Sequence, residues 1–191
     1  MADDLVVEGV EVHAKAAEVL GFWFDLVMPE QWFAGSASLD DEIATLFGPL
    51  RDLVLGSGAL GWRDEPDTLL AAVILLDQFS RNIHRGTAEA FAADPLAREL
   101  TMLAMERGWD KDMAVERRQF LYMPLMHAED PEMQGLCVEK FEALGDERSL
   151  AYARDHAQAI ARFGRFPTRN AALGRESTAE EREYLRQGVD W

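Results

Sequence analysis

The chain has 191 residues, 48% of them apolar and 28% charged, which excludes intrinsic disorder and predicts one compact domain spanning 1–191. Nineteen basic against thirty-five acidic side chains leave a net charge of −16, so nucleic acid and other polyanions are disfavoured as partners. The longest apolar run, Leu69 to Leu76, is eight residues, far short of a membrane span; the acidic start and the lone Cys137 fit a cytoplasmic protein without disulfides.

Taken in order, the apolar residues recur with a 3.6-residue period, which predicts an all-α chain of about seven to eight helices. In a first helix, about 11–27, Val12, Ala16, Val19, Leu20, Trp23 and Phe24 make one stripe, and Pro29 ends it. A second is expected after Ser38, its hydroxyl capping the amide of Asp41, with Pro49 kinking it. The third, about 66–82, is apolar on every side through Leu69–Leu76 and belongs at the centre. Asp94-Pro95 reads as cap and first residue of a fourth helix that Gly108 closes, and a fifth, about 114–128, contains Pro124. Asp130-Pro131 opens a sixth. The seventh runs from about Glu147 to Phe163 and stops at Gly164 and Pro167. A last short helix follows a capping box read at Ser177 and Glu180, with Tyr184, Leu185, Val189 and Trp191 available to dock the tail. Short loops between these helices predict an irregular stack of antiparallel helical hairpins, although no constant repeat length holds.

Polar chemistry gathers in three places. On a 100° wheel Asp77, Arg81 and His84 extend the stripe of Leu70, Val73 and Ile74, so the central helix carries either an internal polar network or a pocket wall; Asp77–Arg81 and Gln78–Asn82 are spaced to pair. A Ser80–Asp77–His84 triad lacks both a strained elbow and an oxyanion hole and is set aside. His127 and Glu129 sit where two helices meet and can face a cleft. His84, His127, His156, Asp77 and Glu129 have metal-binding atoms but no metal-binding spacing, so no metal or other cofactor is expected. His156, with Ala159, Ile160 and Phe163 following on its face, reads as a core histidine rather than a ligand. The third place is Arg154 to Arg175: five arginines and one acid give a local balance of +4 within an acidic chain. Those guanidinium groups either grip an anion or are neutralised one by one in structural salt bridges.

Three strings, Leu75-Leu-Asp-Gln-Phe-x-Arg-Asn82, Pro124-x-x-His-x-Glu129 and Arg162-Phe-Gly-Arg-Phe-Pro-x-Arg-Asn-x-x-Leu-Gly-Arg-Glu-Ser177, together with Phe22-Trp-Phe24 and Trp32-Phe33, resemble a bacterial family filed as domain of unknown function 924. The resemblance covers nearly the whole chain and implies a tetratricopeptide-repeat-like helical fold, with no established activity. It also implies that Asp77, Gln78, Arg81, Asn82, Arg85, His127, Glu129, Arg162, Arg165, Arg169 and Asn170 are the residue types usual for the family. The chain departs at Ser80, His84 and Thr168, where proline, an aromatic residue and histidine are more usual. The reading that follows is a cleft for a small anionic ligand bearing phosphate or carboxylate. Gln78, Arg81, Asn82, Arg85, Arg162, Arg165, Arg169 and Asn170 would bind it, and Asp77, His127 and Glu129 would transfer protons. The alternative is an interaction module gripping a peptide or acidic tail. No heptad or exposed apolar stripe fixes an oligomeric state.

Overall fold

The structure, a computed structural model, describes the backbone of residues 2–189 and the side chains of residues 11–189. Trp191 lies outside the described residues, which contain helices, turns and no strand. None of their helices is long and apolar enough to cross a membrane.

Helix α1 spans Ala2–Gly21 and passes into a π-helical turn, Phe22–Leu26. It starts nine residues before the expected helix because the stripe that reveals it begins only at Val12. Helix α2, Ala37–Gly56, is capped by Ser36, whose hydroxyl accepts from the amide of Leu39 at 3.4 Å; Ser38 is not the cap. It also runs unbroken through Pro49. The proline deprives the carbonyl of Thr45 of its donor, but both residues are exposed and water can serve in its place.

The central helix is interrupted: α3, Pro66–Ile74, gives way to a π-helical turn, Leu75–Phe79, and then to α4, Ser80–Ile83. A π turn inserts one residue into the helical register, so the 100° wheel fails beyond Ile74. Every residue from Thr68 to Ser80 is buried, as the all-round apolar run requires. Helix α5 spans Asp94–Glu106 with Ala93 as its cap, leaving the Asp94 carboxylate free to pair elsewhere. Then come α6, Val115–Met126; α7, Pro131–Leu144; α8, Glu147–Phe163; and α9, Ala179–Arg186. The caps of α7 and α8 are Asp130 and Asp146, and left-handed Gly145 and Gly164 end them; Asp130 and Gly164 are as the sequence indicates. The capping box of α9 falls one residue late, on Thr178 and Glu181. Ser177 instead accepts from the side chain of Asn170. With α3 and α4 counted as one interrupted helix, the described residues form eight helices.

α1 and α5 pack on α3, α2 packs on the central π turn and α4, and α6, α7 and α8 stack in succession. The chain is therefore all helical, in an arrangement compatible with stacked hairpins. Its core is aromatic where the two π turns meet: the Phe79 ring lies 5.5 Å from Trp23 and 6.0 Å from Phe22. This packing fixes the central π turn from behind and leaves its polar edge toward the opposite side.

Candidate functional site

That polar edge borders a cavity of about 510 Å3, whose lining includes Gln78, Arg81, Asn82, Arg85, His127 and Arg169. Six of the eleven expected site residues thus share one hollow, and a seventh, Asp77, lies fully buried directly behind His127. The remaining wall is largely apolar, with Trp32, Phe33, Phe91, Met123, Met126 and Phe166 contributing.

At the floor, His127 at the C-terminal end of α6 donates its Nδ1–H to Asp77 Oδ1 at 2.7 Å. Asp77 also receives the Gln78 amide on Oδ2 at 2.5 Å and stands 3.1 Å from Arg81 Nη1. Burial pushes the Asp77 carboxyl up, but the charges of Arg81 and His127 and the two side-chain hydrogen bonds outweigh it and bring it down to about 2. Burial and the neighbouring charge of Arg81 lower the pKa of His127, against the opposing pull of Asp77 and Asp94. At neutral pH the pair is therefore a carboxylate and a neutral imidazole. Nδ1 is committed to Asp77, and Nε2 has no hydrogen-bond partner among the described residues.

Arg81 and Arg169 share one counter-ion that sequence reading assigned to a helix cap. Arg81 grips Asp94 with both nitrogens, at 2.9 and 3.0 Å, and Arg169 Nη1 donates to the same carboxylate at 3.1 Å. Arg169 Nη2 donates to the backbone carbonyl of His127 at 2.8 Å, and the guanidinium is sandwiched between Phe91 and Phe166, 4.6 and 4.7 Å from their centroids. Burial and Arg81 lower the pKa of Arg169 to about 10, so it remains a cation at neutral pH. His156 donates Nδ1–H to the Tyr152 carbonyl at 2.8 Å, and its ring is 6.3 Å from that of His127. Burial first, and then the charge of His127, push it down to about 3.

The other expected residues stand apart. Glu129 accepts from the amide of Phe166 and from both terminal nitrogens of Arg175, each at 2.8 Å. It thereby holds the Phe166 turn in place without lining the cavity. Arg162 pairs with Glu180 at 2.7 Å on the surface. Arg165 pairs with Glu181 through two bonds, at 2.7 and 2.9 Å, and Asn170 donates to Ser177 and Glu181. These three residues form a clasp that fastens α9. The expected convergence of Arg162, Arg165 and Asn170 on the cleft is corrected accordingly: nearby carboxylates meet the two arginines first, because opposite charges in reach pair before a hollow can form.

Three further expectations change. Gln78 and Asn82 do not pair with each other; Asn82 donates to Asp40 at 2.7 Å, which also takes Arg85 at 2.7 and 2.8 Å. Ser80 accepts from Arg51 Nε at 2.9 Å, far from any base role, and the π turn leaves His84 outside the lining. His156 is a wall residue as well as a buried one. Phe91 and Arg148 were not singled out from sequence, and Asp94 was read only as a helix cap. A carboxylate beside proline has a cap reading that hides any other use, and Arg148 stands in a stretch of mixed charge. Among the described residues, no group of three or more His, Cys, Asp or Glu side chains is placed to hold a metal ion.

A family model described as "Bacterial protein of unknown function (DUF924)" matches residues 19–189. Among solved structures, a protein of unknown function from Agrobacterium tumefaciens is similar: it is 38% identical, with 92% of this chain and 99% of that one covered and a TM-score of 0.87. No curated protein matches the chain.

Proposed function

Because the chain belongs to the DUF924 family of bacterial proteins of unknown function, its relatives supply no reaction, and we propose from its own geometry that the cavity binds a small organic anion and that His127 acts on it as a general base. The observation that carries this reading is the Asp77–His127 hydrogen bond at the floor of a cavity large enough for a metabolite. Asp77 fixes the tautomer and the ring, so the lone pair belongs to Nε2. It also stabilises the imidazolium formed when a proton is taken up. Gln78 and Arg81 keep Asp77 ionised, and Arg169 anchors the His127 backbone.

No serine or cysteine hydroxyl or thiol among the described residues hydrogen-bonds to His127, so the base meets water or an acidic proton of the ligand rather than a protein nucleophile. Interaction with an acidic peptide draws less support, since Arg162 and Arg165 already hold Glu180 and Glu181. The test is a screen of small organic anions for solvent-deuterium uptake and for ester or amide hydrolysis, with His127→Gln and Asp77→Asn in parallel. A turnover lost in both variants supports the reading. Activity indifferent to both, or no turnover of any anion that binds, refutes it.

A further inference from the structure

We infer that the ligand is an amphipathic organic acid carrying a single negative charge, its acid group held by Arg148 at the mouth and its apolar body lying on the inner wall. The inference deepens the reading of the same cavity and rests on it. Three of the four arginines that line the cavity are already balanced: Arg81 and Arg169 face Asp94 and Asp77, and Arg85 faces Asp40, which leaves Arg148 alone without an ion pair among the described residues. A phosphate dianion or a dicarboxylate would enter this field with charge left uncompensated, at a high cost in a partly buried site.

Arg148 differs from the other three lining arginines. Its guanidinium forms no hydrogen bond or ion pair among the described residues, whereas Arg81, Arg85 and Arg169 each have two or more hydrogen bonds to carboxylates or carbonyls. It stands on the first turn of α8, where Asp146 takes the helix's free amides, so a carboxylate arriving there meets a flexible guanidinium rather than the helix end. The Asp146 carboxylate is engaged by Ser149, which in turn accepts from Gln119 at 3.0 Å, so it is held in place on this wall.

Deeper in, nothing charged remains unpaired, and Trp32, Phe33, Met123, Met126 and Phe166 offer a surface that rewards apolar burial. Phe33 belongs to this wall although it is 53% exposed; it stacks on Phe120, with ring centroids 5.9 Å apart. An apolar ligand covering it would remove a large hydrophobic side chain from water.

The experiment is isothermal titration of the full chain at fixed ionic strength with phenylacetate, decanoate, succinate, inorganic phosphate and adenosine monophosphate. Phenylacetate or decanoate should bind at least about tenfold more tightly than the other three. Arg148→Ala should weaken that binding by about tenfold while Arg148→Lys retains most of it, the size expected for a charge-assisted contact. Arg148 is exposed, and an unchanged unfolding midpoint confirms that the variants fold. Tighter binding of phosphate or succinate, binding indifferent to Arg148→Ala, or no binding of either monocarboxylate overturns the inference. Binding that depends on Arg148, alongside proton transfer indifferent to His127→Gln, sinks the general-base reading alone.

Discussion

Replacing His156 with asparagine should flatten the protein's sensitivity to acid. His156 is 5% exposed, and burial, followed by the charge of His127, brings its pKa to about 3 from an ordinary 6.5. The unfolded chain therefore binds a proton near pH 6.5 that the folded chain refuses until near pH 3. Stability from this residue is complete above pH 6.5 and drains away as pH falls through that window. Each unit is worth about 1.4 kcal/mol, so between pH 6.5 and 4.5 the loss is about 2 to 3 kcal/mol. Asparagine keeps an N–H for the Tyr152 carbonyl but does not titrate. It also gives up the ring contact with Phe166, at 5.4 Å between centroids, so the variant begins less stable at pH 7. The diagnostic quantity is the gap between the two proteins, measured by urea unfolding followed through tryptophan fluorescence at several pH values. It should narrow by about 2 to 3 kcal/mol over those two units. Asp77, held at about 2, stays ionised throughout and does not alter the difference. Parallel curves would refute the reasoning.

Asp77→Asn should cost roughly 2 kcal/mol at pH 7, from a carboxyl lowered from 3.8 to about 2 in a fully buried site. That corresponds to a midpoint lower by roughly 4 to 8 °C in a thermal melt. The same variant should lower the pKa of His127 further, since it removes a charge that raises it; histidine NMR titration reads this directly. Leu70→Ala, at a fully buried position in α3, should cost about 2 to 5 kcal/mol in urea unfolding. Glu181→Gln should lower the melting temperature by loosening the Arg165 clasp, while calorimetry finds ligand binding in the cavity unchanged.

The helices were legible because the residues that specify them are local: Asp130 as a cap, Gly164 as a stop, and an apolar run that only a buried helix can hold. The π turn at Leu75–Phe79 was not, because its extra residue is stabilised by rings contributed from the π turn that follows α1 and from α2, and no residue type marks it. The same gap misplaced His84 and concealed the pairing of Asp77 with His127, which are 50 positions apart. The arginine surplus after α8 was visible as composition, but its partners Glu180 and Glu181 lie just beyond the stretch in which it was counted. Asp94 shows the reverse problem. Its place before Pro95 satisfies a local rule, whereas its side chain answers to Arg81 and Arg169.

The proposed chemistry requires a neutral imidazole at residue 127 with its second nitrogen facing a ligand. Nitrogen-15 NMR of the histidine side chains at pH 7 tests this most directly, with His127 assigned through His127→Gln. The structure calls for a proton on Nδ1, none on Nε2, and a shift of the Nε2 resonance when phenylacetate is added. A proton on Nε2, a doubly protonated ring, or an Nε2 signal untouched by bound acid would contradict it.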